Sequence, residues 1–483
     1  MSLPLPLKYG GKIESAPSRS SRLNLAPQNG TGNYNLGDTI IFNFPCRNNV
    51  LLVPSESYLR LNVAVTNSEA NIASYRLDSC GMHSIIRSIR IWSGSNILSD
   101  IDSYSTLAKM LFDLQVPTSA SYGKYSALAG TRSDLVVTGT GQTPVQGTAA
   151  LVNGIAVAAP AGPTGIELAG ILNSLSVSQI NTGDLFAASV AVGATTTTTT
   201  YCLNLITLLG ALCQNNYFPL FACQNSTIRM EITLHDNLQK IFGIATPTAA
   251  ALGLGSITVS NVEYICNLIE LGDGAMSMVQ ESLQGAPLQF VLSDWRNFQY
   301  TTAVTANALI NVPIAAKFAS LKSLFMVTRD RFNRAVYYPN SSVTGGLLSY
   351  YYRVGAQIMP AKAPSTIPEF FAEVMKAIAS MSDLSHMPSI DKASYAIAAS
   401  NLQTPATLSN GSTSSGSFYI GIDLESYPNA SKQSCYAGWN SNSDDIFCSL
   451  QYGAATTDSM RFDSFANFDN LLVFEHGVCF SRF

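Results

Sequence analysis

Apolar and polar residues alternate along most of this chain. Tyr58 to Val65 puts Tyr58, Arg60, Asn62 and Ala64 on one face of an extended strand and Leu59, Leu61, Val63 and Val65 on the other. Thr39 to Phe44 is a similar run that stops at Pro45, and Ile85 to Trp92 alternates again with Arg87 and Arg90 towards its ends. Proline, Asn-Asn and Ser-Gly-Ser turns divide these short runs, which predicts an all-β protein. Ser260 to Leu271 is a further strand. After a break at 272–286, Gln289 to Leu292, Ala308 to Pro313 and Ser320 to Val327 predict a second β-rich unit.

Two segments carry a helical period instead. Asp102 stands where it can cap the first, an amphipathic helix with its apolar stripe on Leu107, Met110, Leu111 and Leu114. In the second, Pro368 suits the first turn, and Phe370, Phe371, Val374, Met375 and Ile378 make the stripe. Each helix follows a loop and an Arg-bearing strand (Arg90, Arg353). The two units lie about 260 residues apart, which divides the chain into comparable halves.

Residues 1–30 hold Lys8, Lys12, Arg19 and Arg22 among Gly, Pro and Ser with no hydrophobic period, and predict an arm that takes its order from a partner. Its first residues, broken by Pro4 and Pro6 and followed by Lys8, are too short for a secretion signal. Residues 138–200 are rich in Gly, Ala, Thr and Val, carry only Glu167 and Asp184 as charges, and end in six threonines. That composition suits a long surface loop rather than a separate domain.

Composition changes the picture. Only 12% of residues are charged, against about 25% in an ordinary soluble protein. The hydrophobic share is 47%, yet no stretch has the pattern of a membrane span; the apolar window from Ile241 to Val259 is interrupted by Gly, Thr and Pro247. A surface so poor in charge is best explained by burial against other copies or partners. The net charge of −4 gives no global pull towards nucleic acid, and no Lys or Arg occurs between Asp134 and Ile228. The nine cysteines are odd in number and lack a Cys-x-x-Cys pair, which predicts free buried thiols. Sequons at Asn29, Asn225, Asn340, Asn410 and Asn429 follow from a composition rich in Asn, Ser and Thr.

Candidate chemistry is sparse. His83, His235, His386 and His476 stand apart from one another, and His476 with Cys479 supplies two metal ligands at most. Asp444-Asp445 is a carboxylate pair, but neighbours on a loop rarely converge as acid and base, and a solvated turn explains them. There is no nucleophile elbow, Walker loop or dinucleotide fingerprint; Gly94-Ser-Asn is a turn beside a strand. The aromatics lack the basic interleaving of a single-strand nucleic-acid platform. No catalytic, cofactor-binding or metal-binding residue is assigned.

Five segments, in order, carry a resemblance. They are Asn216 to Leu220 with Ser226 to Leu234; Ser260 to Leu271; Ala319 to Arg329; Tyr350 to Pro360 with the helix at 368; and Tyr436 to Asn440 with Asp469 to Phe474. Together, over about residues 36–483, they resemble the double jelly-roll major capsid proteins of icosahedral DNA viruses, of the polinton-like, virophage and large algal virus kind. The resemblance implies an all-β fold of two tandem eight-stranded antiparallel jelly rolls with short helices and a long loop insertion. It divides the chain into an arm (1–30), a first roll (31–271) with the insertion at about 118–200 as a surface tower, a linker (272–286) and a second roll (287–483). It further implies a non-enzymatic major capsid protein without cofactors. Such a protein self-assembles as pseudo-hexameric homotrimers that tile a virion shell around the genome, after synthesis in the host cytoplasm. Expected partners are other copies, penton and minor capsid or cement proteins, and an internal membrane met through the arm, with no sequence-specific nucleic-acid binding. The rivals are a secreted or surface β-sandwich that binds glycans, and a β-sandwich glycosidase, which needs two carboxylates about 5 to 9.5 Å apart.

Overall fold

A computed structural model describes residues 18–131 and 198–483 apart from short internal stretches, the longest of them 68–74, 245–254, 331–339, 397–415 and 427–436, together with a few residues between 137 and 195. The expected tower at 138–200 lies almost wholly outside the described residues, as do Cys435, His386, Asn410 and Asn429.

Eight strands build the first half: β1 (Ser18–Leu25), β2 (Thr39–Phe44), β3 (Tyr58–Asn67), β4 (Ile86–Ser93), β5 (Asn96–Ile101), β6 (Thr199–Leu203), β7 (Ile228–Leu234) and β8 (Gly255–Leu271). They form two antiparallel sheets in the orders β1-β8-β3-β6 and β2-β7-β4-β5, and the short strand Val50–Leu52 also pairs with β8. Eight more build the second half: β9 (Leu288–Thr302), β10 (Leu309–Ile314), β11 (Leu321–Asp330), β12 (Leu347–Val354), β13 (Gln357–Met359), β14 (Tyr419–Asp423), β15 (Ile446–Tyr452) and β16 (Met460–Glu475). Their sheets run β9-β16-β11-β14 and β10-β15-β12-β13, so every strand number is the first-half number plus eight. Two sheets whose order skips between early and late strands, packed face to face, make a jelly roll. A seventeenth strand, β17 (Val478–Arg482), folds back on β16 through a hairpin at His476 and Gly477.

Alternation sets the inner faces. Leu59, Leu61, Val63 and Val65 of β3 are buried while Tyr58, Arg60, Asn62 and Ala64 are half-exposed. Ile228, Met230, Ile232 and Leu234 of β7 face Phe42 and Phe44 of β2 across the ladder and inside the barrel. The second barrel closes around Leu324, Met326, Tyr350, Tyr352, Phe462 and Phe468.

Three helices matter for the argument: α1 (Tyr104–Gln115), α2 (Asp273–Leu283) and α3 (Ile367–Ile378). The hairpin-then-helix unit β4-β5-α1 recurs as β12-β13-α3, which accounts for the duplication visible in sequence. In α3, Pro368 lies in the first turn and Glu369 accepts from the Ser365 and Thr366 amides, satisfying donors that a helix start leaves open.

Four expectations need correction. The arm is not devoid of its own order throughout, because Ser18–Leu25 is the edge strand β1, in register with Tyr264–Leu271 of β8. Backbone pairing to a sheet edge needs no hydrophobic period, so the sequence pattern hid it. Helix α1 is not amphipathic in its setting: Tyr104 to Leu114 are all buried, because it lies between the two barrels. Its N-cap position is Ser103, in a left-handed conformation, while Asp102 accepts a side-chain hydrogen bond from Gln299 of β9. The insertion is shorter at both ends than 118–200, since helix Lys124–Ala129 packs on the first barrel through buried Ser126 and Ala129, and Thr199 and Thr200 belong to β6.

Candidate functional site

In the sheet β9-β16-β11-β14, the strands β16, β11 and β14 are buried on both faces, and β9 is buried at Leu292, Asp294 and Trp295. Leu324, Met326 and Phe462 point into the second barrel, whereas Phe325, Val327, Phe465 and Trp295 join the core of the first. The outer face of one barrel's sheet is thus covered by the other barrel, and the contact is laced with polar groups.

Its centre is Lys109 of α1. The ammonium lies 2.8 Å from Asp113 Oδ2 and 3.4 Å from Asp78 Oδ1, and all three side chains are at most 2% exposed. From the second barrel, Tyr419 donates its hydroxyl to Asp113 Oδ2 at 2.6 Å, Ser417 Oγ accepts from Lys109 at 3.1 Å, and the backbone N–H of Asn340 donates to Asp78 Oδ2 at 3.2 Å. Burial alone pulls the Lys109 ammonium towards neutrality, but the two carboxylates outweigh it and hold the group charged. Two carboxylates on one ammonium leave a net negative charge, which the Tyr419 and Ser79 hydroxyls on Asp113 disperse.

A second lock sits on β5. Ser99 donates to Asp294 Oδ1 of β9 at 3.0 Å, and Asn470 of β16 donates both to Asp294 Oδ2 at 3.1 Å and to the Leu98 carbonyl at 3.0 Å. Burial raises the Asp294 carboxyl to about 6. A third involves Ser105, which lies 3.0 Å from His235 Nε2 and donates to Asn340 Oδ1 at 3.2 Å. Finally, the hairpin before β17 docks on the first barrel: Asn225 donates to the His476 carbonyl at 2.7 Å, and the Cys479 amide donates to Ser93 Oγ at 3.2 Å. Directional bonds of this kind fix one relative placement of the barrels, which apolar packing alone leaves freer to slide.

The candidate residues of the sequence fall elsewhere. His476 is exposed at the hairpin whereas Cys479 is buried, so the two do not converge. Asp444 accepts from Trp439 Nε1 at 2.8 Å, and Asp445 pairs with Lys317 at 3.1 Å, both as turn fixtures. Asn340 is buried in the junction, and Asn225 holds the hairpin. Eight cysteines are free thiols and six of these are buried. Among the described residues no group of three or more His, Cys, Asp or Glu side chains is arranged to hold a metal, and no helix is long and apolar enough to cross a membrane. The Lys109 cluster went unseen in the sequence; its one signal is a Lys–Asp pair four residues apart inside an otherwise apolar helix.

No protein-family model and no curated protein matches the chain. Solved structures do. A quasi-atomic model of the PBCV-1 virus capsid matches with a TM-score of 0.58 at 10% identity, over 98% of this chain and 99% of that one. The Faustovirus major capsid protein matches with a TM-score of 0.59 at 11% identity, over 97% of this chain and 92% of that one. The mavirus major capsid protein matches with a TM-score of 0.53 at 12% identity, over 99% and 93% respectively. Two jelly rolls of identical strand order, locked by a buried polar junction and superposable over nearly their whole length on these structures, give this chain the double jelly-roll fold of viral major capsid proteins.

Proposed function

We propose that the protein is a major capsid protein whose chains assemble as homotrimers and then as a closed virion shell. The observation that supports this most is the likeness over nearly the full length of both chains, which includes the doubling of the barrel and not only one barrel. Two similar barrels in one chain let three chains present six similar units around an axis, a shape that tiles by repeated contacts. The charge content of 12% fits the same role. Outward strand positions that meet neighbours rather than water pay less desolvation when they are uncharged. The junction supports a structural role, because Lys109, Asp113, Ser99, Asp294 and Asn470 bind partners across the contact between the barrels.

Sedimentation of the purified chain tests the proposal. A species at three times the 51.6 kDa chain mass is expected. A stable monomer overturns it and moves the glycan-binding β-sandwich to the front.

A further inference from the structure

Two buried thiols lie together where the tail of the second barrel meets the first barrel. Cys223 ends the short helical turn Leu220–Cys223 that precedes β7, and Cys479 is the second residue of β17. Both are fully buried and both are free. Their side chains are in hydrogen-bond contact. Neighbouring bonds hold that contact in place. The Asn225 amide donates to the Gly477 carbonyl at 3.0 Å, two residues on from Cys223 and two residues before Cys479. The Cys479 amide donates to Ser93 Oγ, which itself lies 2.7 Å from Ser226 Oγ. The ring of Phe218 meets that of Phe474 edge-on at 5.6 Å, and Phe474 is the ladder partner of Cys479.

Other buried thiols are placed differently. Cys213 donates to the Asn216 carbonyl at 3.5 Å, Cys80 lies 3.9 Å from the Gly81 and Ser105 carbonyls, and Cys448 meets the Tyr352 hydroxyl. A third thiol stands close to the pair: Cys46, half-buried just past β2, donates to the Ser226 carbonyl at 3.6 Å. The contact with Cys479, and after it burial, pushes the Cys223 thiol well up from its ordinary value. The thiolate is the reactive form. The reduced pair is therefore slow to react, and a reducing cell keeps it reduced.

We infer that Cys223 and Cys479 form a disulfide site, which ties the C-terminal hairpin of the second barrel to the first barrel once the chain meets an oxidising environment. A disulfide sets its sulfurs about 2.0 Å apart, and small side-chain movements reach that distance from the present contact. The co-reactant is a small disulfide such as oxidised glutathione. One cysteine thiolate attacks it, expels one glutathione thiolate and forms a mixed disulfide. The second cysteine thiolate attacks the protein sulfur of that bond and expels the other glutathione. Two protein S–H bonds break and one S–S bond forms. The two electrons reduce the external disulfide to two thiols, which take up the two protons. The new bond closes a loop that runs through β7, β8, α2 and the second barrel as far as β16. A loop so long constrains the unfolded chain strongly. The inference needs only the fold, and stands apart from the trimer proposed above.

The test incubates folded full-length protein with excess oxidised glutathione and, in parallel, with dithiothreitol. Free thiols are counted, unreduced proteolytic fragments are mapped by mass, and amide hydrogen exchange is followed over Val478–Arg482. The expected product lacks two thiols and yields one linked fragment that joins Cys223 to Cys479. Its Val478–Arg482 amides exchange about tenfold or more slowly than in the reduced protein. Cys223→Ser and Cys479→Ser each abolish the linked fragment, and Cys213→Ser keeps it. Two thiols that stay reduced under excess oxidant overturn the inference. So does a bond from Cys46 to either of them, or a glutathione mixed disulfide as the end product. The wild-type fragments decide the matter even where a serine variant fails to fold. Each of these outcomes leaves the capsid proposal standing.

Discussion

Tyr419, at the start of β14 in the second barrel, donates its hydroxyl to Asp113 on the last turn of α1 in the first, at 2.6 Å. The bond spans 306 positions in sequence and closes on a carboxylate that also holds Lys109. Removing the lysine leaves two buried carboxylates without a counter-charge. Lys109→Ala is therefore expected to cost about 3–5 kcal/mol, whereas Tyr419→Phe, which loses one hydrogen bond to a charged group, costs about 2 kcal/mol. Equilibrium unfolding in denaturant measures both. Equal costs would mean that the cluster is not charged as described.

Acidification should weaken the fold. Burial lowers His83 to about 4 and His235 to about 3, the latter helped by Lys240 and Arg329. The native state then binds fewer protons than the unfolded one, whose histidines titrate near 6.5, so stability present at neutral pH is lost as pH falls below that value. Asp294, raised to about 6 by burial, acts oppositely, since its native form takes up a proton first. Between pH 7 and 5 the two histidines together forfeit about 4 kcal/mol and Asp294 returns about 1 kcal/mol, so the histidines win. Melting temperature is expected to fall across that window, and His83→Gln with His235→Gln to flatten the fall. A melting temperature that rises from pH 7 to 5 would contradict this.

Ala64 lies half-exposed on the outer face of β3, opposite Thr258 of β8. Ala64→Asp adds a charge outside the core and is expected to change stability by no more than about 0.5 kcal/mol. It should nevertheless reduce the assembled fraction, as followed by sedimentation at several protein concentrations. Undiminished assembly, here and at other outward positions, would argue against a crowded shell.

Much of this architecture is legible in the chain. The period-two runs located β2, β3, β4 and β8, because each has one wetter face and one dry face, and the Pro368 helix with its preceding hairpin marked the repeat. The failures share a cause. Strand β1 is held by backbone pairing at an edge, which leaves little hydrophobic trace. Helix α1 looked amphipathic because Lys109 and Asp113 are polar, but the partners that seal them from the second barrel, Ser417 and Tyr419, lie some 300 positions away, and no local pattern reports that. The junction itself was invisible for the same reason: Asp294, Asn340 and Asn470 are ordinary polar residues until the second barrel is placed on the first.

Averaged electron-microscope images of the purified particle test the central claim most directly. The account predicts compact particles with a six-sided outline built of six similar densities, and closed shells at higher concentration. Isolated two-lobed particles, with neither rings nor shells at any concentration, would contradict it.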